Sequence, residues 1–252
     1  MNFKHDLPRA LSAAILAVGM TTAALAHAAV VVEGTRVVYR AQERETTIKL
    51  TNKGKVPALA QVWIDNGDPK APPSSIKVPF TLTPAVARID AGKAQTLRIF
   101  YTGEALPQDR ESVFWLNVLE VPPKPDPNEA GSNTLQLAFR TRIKLFFRPS
   151  GLKGLAVEAP GQLEWTLDQS RKEAALVAHN PTPYYVSVIN VQLSGHGKSA
   201  RSDASAMVEP GGTASYPLKG EVPRATDASV HYHTLGDLGN SLDGDSPLSQ
   251  AR

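Results

Sequence analysis

The chain has 252 residues, of which 42% are hydrophobic and 20% charged, as in an ordinary folded protein. Its formal net charge of +3 is too small to predict a nucleic-acid partner by electrostatics. The sequence has no cysteine, which excludes disulfides, thiolate nucleophiles and cysteine metal ligands, so burial of a hydrophobic core must stabilise the fold.

The first 28 residues are typical of a secretory signal peptide. Lys4 and Arg9 give a positive start, an apolar stretch runs from 11 to 25, and Ala26-His27-Ala28 fits the small-x-small cleavage pattern. The apolar stretch is shorter than the ~20 residues that a membrane span needs, which disfavours the alternative of an uncleaved anchor. No later segment is apolar enough to span a bilayer. We therefore predict an exported chain that starts at Ala29 and is not inserted in a membrane.

Residues 29–150 contain short runs of alternating apolar and polar residues, separated by Gly, Pro, Asn and Asp. This pattern predicts strands joined by turns, and no window of a dozen residues has a helical apolar stripe. The predicted strands are 30–39, 46–51, 58–64, 96–101, 112–121 and 135–149.

The strand LQLAFRTRIKLFFRP, at 135–149, has an unusual distribution of side chains. Leu135, Leu137 and Phe139 form an apolar row on one face, because alternate residues of a strand point the same way. The other face carries four cations, which are Arg140, Arg142, Lys144 and Arg148. A strand buried in its own sandwich would not be expected to carry four cations, and a solvent-exposed strand would not be expected to carry an apolar row.

The second half repeats the strand pattern more weakly. Pro149-Ser150-Gly151 ends the basic strand and is predicted to be a hinge, so that 29–150 and 151–252 form separate domains. The polar residues 240–252 are predicted to be frayed. The pattern as a whole predicts an all-β fold of sandwiches or barrels. The strands predicted in the second half are 163–168, 174–179, 184–193, 213–218 and 228–235.

The sequence contains no motif of a nucleophile elbow, a zinc protease, a dinucleotide site or a phosphate loop. We therefore predict no enzymatic activity, no cofactor and no metal. One alternative stays open, because His231 and His233 lie two apart on a predicted strand and share a face. With His179, His196 or Asp237 nearby they could bind copper or zinc, although solvent-facing histidines are the simpler interpretation.

Several segments, in order and with similar spacing, resemble the periplasmic pilus-assembly chaperones of the chaperone-usher pathway. The resemblance is strongest in LPQDRESVFWLNVLEVPP at 106–123, followed by the basic strand at 135–149. The second half matches more thinly, through HNPTPYYVSV at 179–188 and HTLGDLG at 233–239. The resemblance to this family implies two immunoglobulin-like β-sandwich domains at an angle, with a cleft between them. The remaining matching segments are GTRVVY at 34–39 and TPAVARIDAGKAQTLRIFYTG at 83–103.

The resemblance also assigns roles to particular residues. Arg36 and Lys144 match the cleft pair that binds the C-terminal carboxylate of a pilus subunit. Leu135, Leu137 and Phe139 match the row that fills the open groove of the subunit, which lacks its own last strand. Alternation places Lys144 on the face opposite this row. A twist or bulge between Phe139 and Ile143, or a cleft that reaches Lys144 from the other side, would account for that.

Glu111, Arg148 and Asp237 match an ion-pair network across the domain interface, which we expect to fix the interdomain angle. The match of Asp237 is the weakest, because GDLGN at 236–240 departs from the NDYGG-like loop of the family. The lack of cysteine and the modest loop before the basic strand fit the branch of the family with a short loop at that place.

The resemblance predicts a periplasmic chaperone that binds pilus subunits and delivers them to an outer-membrane usher. An exposed apolar strand could also lead to self-association. The alternatives are a structural pilus subunit or adhesin, or a metal-binding periplasmic sandwich. Against the first of these, no disulfide and no extended donor arm are visible in the sequence.

Overall fold

A computed structural model of the chain describes residues 29–121, 137–170, 173–224, 226 and 228–249. The predicted signal peptide and Leu135 lie outside these ranges. No helix within the described ranges combines the length and apolarity that crossing a membrane requires.

The first half of the chain forms two mostly antiparallel sheets that pack face to face. Its strands are β1 (Val30–Val32), β2 (Arg36–Arg40), β3 (Thr46–Asn52), β4 (Ala58–Asp65), β5 (Phe80–Thr83), β6 (Val86–Ile89), β7 (Ala94–Tyr101), β8 (Ser112–Val121) and β9 (Phe139–Arg148). One sheet has the order β1-β3-β7-β5, and the other has the order β2-β9-β8-β4-β6. The core between them includes Leu50, Leu97, Leu116 and Leu145, none of which is exposed.

The predicted strand 30–39 is in fact two strands, β1 and β2, which belong to different sheets. Between them Gly34 has a φ of 143°, a conformation that residues with a side chain rarely adopt. The chain therefore changes sheets at Gly34, and β2 comes to lie beside β9 in a parallel pair. Four other predicted strands of this half are present with ends shifted by at most two residues, the strand predicted at 135–149 is described from Phe139 to Arg148, and β5 and β6 are additional.

The second half forms a three-stranded sheet packed on a six-stranded sheet. Its strands are β10 (Glu164–Asp168), β11 (Ala175–His179), β12 (Val186–Gly195), β13 (Lys198–Ser202), β14 (Ala206–Val208), β15 (Thr213–Pro217), β16 (Lys219–Gly220), β17 (Ser229–Leu235) and β18 (Ser241–Pro247). Trp165 is fully buried in a second core, where its ring stacks on Tyr232 at 5.6 Å. This core is separate from the first, although the boundary at residue 150 stays a prediction.

The prediction of a frayed tail was wrong for the residues that form β18. This strand pairs with β17 along its whole length, from Ser241 opposite Leu235 to Pro247 opposite Ser229. Polarity alone misled the prediction, because an edge strand needs only alternate side chains to pack. Leu242 and Gly244 are half-buried, and the ring of Tyr232 occupies the space above Gly244 that a Cβ would need.

Candidate functional site

Strand β9 has neighbours on both sides along only part of its length. Its pairing with β8 runs without a register shift from Phe139 opposite Glu120 to Phe147 opposite Ser112. Its pairing with β2 begins only at Lys144 and ends at Arg148. Within the described part of the chain, the edge of Phe139–Ile143 that faces away from β8 is therefore unpaired. An unpaired edge is a template on which another strand can be added.

The two faces of β9 have different roles. Ile143, Leu145 and Phe147 point inward and belong to the first core. Leu137 and Phe139 continue this inward row, but Phe139 is only half-buried and Leu137 is 50% exposed. The apolar row therefore passes beyond the end of the core of its own domain. Leu135, the third predicted member, lies outside the described residues.

The face of Lys144 follows from plain alternation. Because the register with β8 is unbroken, there is no bulge between Phe139 and Ile143, and Lys144 lies on the face opposite the apolar row. Phe146 and Arg148 share that face, and both line a cleft between the two domains. The alternative of a bulge is therefore wrong, and the cleft lies on the same side of β9 as Lys144, where its cross-strand neighbour Arg36 is also part of the lining.

Arg36 and Lys144 are direct neighbours across the parallel β2–β9 pair, and both are half-buried. Arg36 Nη1 donates a hydrogen bond to the carbonyl of Leu235 in the second domain at 3.0 Å. Arg36 Nε is buried without a hydrogen-bond partner, and the guanidinium lies 5.8 Å from the centre of the Phe146 ring. Among the described residues, neither cation has a carboxylate within ion-pair distance.

The surroundings of this pair disfavour its charge. Burial lowers the pKa of the Lys144 ammonium, and the neighbouring positive charge of Arg36 lowers it further. Burial also lowers the pKa of Arg36, against the attraction of the more distant Asp237 and Glu111. Two like charges that are partly desolvated, and that no described carboxylate neutralises, form a site in which an anion would be stabilised.

The three predicted interface residues do lie together. Arg148 Nε donates to Glu111 Oε1 at 2.6 Å, and its Nη1 and Nη2 donate to the Asp237 carboxylate at 2.6 and 2.8 Å. Glu111 is 3% exposed and also accepts a hydrogen bond from the Tyr185 amide at 2.8 Å. Arg148 and Glu111 come from the first domain, whereas Asp237 and Tyr185 come from the second. The network therefore joins the two domains.

The charges in this network perturb one another. Burial raises the pKa of the Glu111 carboxyl, and Arg148 opposes that shift. Burial alone would raise the pKa of Asp237 as well, but the hydrogen bonds from Arg148 together with the positive charges of Arg148, Arg40 and Arg36 outweigh it and lower that pKa. A cleft of about 220 Å³ lies against the network and is lined by Arg36, Tyr185 and Leu238 among others.

Sequence reasoning missed a second charged cluster, which holds two of the four cations of β9. Arg142 donates to both oxygens of Asp65, at 3.1 and 2.6 Å, and Asp65 has no exposed side-chain surface. Arg140 donates to Asn117 Oδ1 at 2.9 and 2.6 Å, and Asn117 Nδ2 donates to Asp65 at 2.8 Å. The signal in the sequence was Asp65 itself, a carboxylate that directly follows the apolar strand ALAQVWI.

The two histidines of the metal-binding alternative each have an aspartate partner on the neighbouring strand. His231 Nδ1 lies 2.9 Å from Asp245 Oδ1, and His233 contacts Asp243 in the same way. Within the ranges that the structure describes, no three potential ligands are grouped to hold a metal ion. The geometry therefore gives this alternative no support.

Comparison with known proteins decides the family. The model of the N-terminal domain of PapD, described as a pili and flagellar-assembly chaperone, matches residues 29–153. The model of the C-terminal domain of the pili-assembly chaperone PapD matches residues 158–246. The chain belongs to the pilus-assembly chaperones.

Individual relatives agree with this family. The probable fimbrial chaperone YadV of Escherichia coli K12 is 48% identical over 221 residues, which are 87% of this chain and 89% of YadV. Its crystal structure matches with a TM-score of 0.73 over 88% of this chain and 100% of that one. The chaperone FimB/FhaD of Bordetella pertussis Tohama I is 46% identical over 234 residues, 91% of each chain.

A further solved structure contains a partner. The Salmonella enterica chaperone SafB, in complex with the SafA pilin, is 26% identical to this chaperone, with a TM-score of 0.73 over 89% of this chain and 99% of that one. The predicted family and the fold of two β-sandwich domains are thus confirmed, as is the prediction that the protein is not an enzyme. The alternative of a structural pilus subunit is not supported, because both halves match chaperone domains.

Proposed function

We propose that this fimbrial chaperone acts in the periplasm by lending pilus subunits the β-strand that they lack. One observation carries the proposal. The half of β9 whose edge no described strand pairs, Phe139–Ile143, leads directly to Arg36 and Lys144, two cations for which the described residues provide no counter-ion. A peptide that pairs with this edge and ends in a free carboxylate fits both features.

The first step is strand addition. A subunit strand that pairs with the open edge of β9 gains backbone hydrogen bonds, while alternate side chains of β9 enter the subunit. We propose Leu135, Leu137 and Phe139 as the side chains that fill the groove of the subunit. Complete burial of each is worth about 1.5–3 kcal/mol. The 50% exposure of Leu137 in the free protein supports this role, because much of its surface is still to be buried.

The second step is the binding of the carboxylate. The unpartnered Nε–H of Arg36 supplies a donor, and the ammonium of Lys144, directly opposite across the strand pair, supplies another. Charge-assisted hydrogen bonds of this kind contribute about 1.5–3 kcal/mol each. The carboxylate fixes the end of the subunit strand and so selects one register among those that backbone pairing alone would allow.

The later steps, subunit release and delivery, are proposed from membership of the pilus-assembly chaperone family. The subunit leaves when the N-terminal strand of another subunit replaces Leu135 to Phe139, and an outer-membrane usher receives the complex. In the absence of subunit, a second copy of the chaperone could cover the same open edge. The ion pairs of Arg148 with Glu111 and Asp237 keep the two domains at the angle that the cleft requires.

The proposal is tested by capture of subunits from the periplasm of a fimbriated strain. Tagged mature protein is compared with Arg36→Ala and Lys144→Ala, and captured chains are identified by mass spectrometry. We expect wild type to recover pilus subunits and both variants to lose them. Arg98→Ala is the matched control, because it also removes a strand arginine, but from the other sheet. Equal capture by all four proteins would exclude the carboxylate-binding role of Arg36 and Lys144.

A further inference from the structure

The outward face of the unpaired half of β9 is held by a cluster that we call the Asp65 clamp, formed by Asp65, Asn117, Arg140 and Arg142. Asp65 lies on β4 and Asn117 on β8, which is the strand between β4 and β9. Arg140 therefore contacts the adjacent strand β8, and Arg142 reaches across β8 to Asp65 on β4. Arg142 makes a bidentate contact with the two oxygens of Asp65, and Arg140 donates from Nε and Nη2 to the single Oδ1 of Asn117. Arg140 also donates to the carbonyl of Pro69 at 2.6 Å.

Aromatic rings complete the clamp. The guanidinium of Arg140 lies 4.9 Å from the centre of the Trp63 ring, and that of Arg142 lies 4.6 Å from the Trp115 ring. Stacking on a ring restricts a guanidinium to one plane, and bidentate pairing fixes it within that plane. The Gly67 amide also donates to Asp65 at 2.8 Å, so both oxygens of the buried carboxylate are satisfied.

The position of the clamp is informative. The arginines of the clamp lie within Phe139–Ile143, the stretch of β9 that has a neighbour on only one side. A strand with one neighbour exchanges and frays more readily than an internal strand. In this part of β9 the side chains on the outward face supply the restraint that a second neighbouring strand supplies elsewhere, and they leave the open edge itself free.

We propose that the Asp65 clamp preorganises β9 for capture of the subunit, so that Asp65, Arg140 and Arg142 are positioning residues for strand addition. This inference rests on the proposed function. A strand that is already extended before the subunit arrives loses less conformational entropy on binding, which speeds association and leaves the final contacts unchanged. The clamp residues do not touch the apolar row, because they occupy the opposite face of β9.

Residue-resolved amide hydrogen exchange of the free protein tests the first part. Arg142→Gln and the paired variant Asp65→Asn/Arg142→Gln are compared with wild type; the paired variant leaves no unpaired buried charge and so guards against misfolding. We expect exchange of the Phe139–Ile143 amides that face β8 to rise about tenfold, with the core amides of β4 unchanged. Arg98→Gln is the control, because Arg98 combines an ion pair with a ring contact on the remote strand β7.

Stopped-flow association with the denatured pilus subunit identified by the capture experiment tests the second part. We expect about tenfold slower association for Arg142→Gln with an unchanged dissociation rate, and a partial recovery in Arg142→Lys. Unchanged exchange at Phe139–Ile143 would overturn the clamp, and so would raised exchange with an unchanged association rate. If Arg36→Ala associates as wild type does, the proposed function fails instead, whereas the exchange result still decides whether the clamp orders β9.

Discussion

Replacing Glu111 by alanine should weaken the interface between the two domains. The substitution removes the acceptor of the Arg148 hydrogen bond at 2.6 Å and leaves the Tyr185 amide without its partner. The lost charged hydrogen bond is worth about 1.5–3 kcal/mol, and the unsatisfied amide costs about 1–3 kcal/mol. Arg148 keeps its bidentate contact with Asp237, so no charge is left unpaired. Burial of the Glu111 carboxylate, which raises its pKa, has a cost that offsets part of the stability that these hydrogen bonds contribute. We therefore expect a loss of about 3 kcal/mol.

Guanidinium unfolding followed by circular dichroism measures this loss, and small-angle X-ray scattering reports whether the domains separate. Glu45→Ala is the control, because Glu45 pairs with Arg98 at the surface of one domain and should contribute less than about 1 kcal/mol. The network would have no role in the interface if Glu111→Ala matched this control in stability, kept the wild-type scattering profile and captured subunits normally.

Three further substitutions have defined outcomes. Asp65→Asn should cost about 3 kcal/mol at pH 7, and the cost should shrink as the pH falls below about 4. Burial would raise the pKa of Asp65, but the hydrogen bonds to the carboxylate outweigh burial and lower that pKa. The ionised carboxylate therefore stabilises the fold above the ordinary pKa of an aspartate, and this stabilisation is lost on acidification. A cost of the substitution that does not depend on pH would contradict this reasoning. Gly239→Ala should destabilise by about 1–3 kcal/mol, because Gly239 has a φ of 77° and the new Cβ would lie 2.2 Å from Thr35 Oγ1 across the interface. Thr35→Ala should relieve the clash but not the backbone strain, so complete rescue or none would count against the reasoning. His233→Ala should cost less than about 1 kcal/mol, because its pair with Asp243 is at the surface, and stoichiometric zinc should leave the wild-type melting temperature unchanged; a zinc-induced rise would revive the metal site.

The sequence predicted best what depends on local alternation. Strand β8 was placed at 112–121 without error, because its alternate residues Phe114, Leu116 and Val118 face a core on one side. The break at Gly34 was missed because both flanking segments have the same strand pattern, and only pairing with different sheets separates them. Strand β18 was missed because its own residues are mostly polar, and only its pairing with β17 identifies it as a strand.

The proximity of the proposed site residues was predictable where a family motif specified it. Arg36 and Lys144 were paired through family motifs, and the structure places them opposite each other on β2 and β9. The roles of Arg140 and Arg142 were not predictable in this way. Their partner Asp65 precedes them by more than 70 positions, and an isolated aspartate at the end of a strand has no pattern that specifies an arginine.

The unbroken register of β9 has a consequence for how this protein can change in length. A single-residue insertion between Phe139 and Lys144 would move every upstream side chain to the opposite face, exchanging the apolar row with the arginines. An insertion of two residues would restore the faces but displace the row by about 7 Å relative to the cations of the cleft. Engineered variants of this strand should therefore be limited to substitutions.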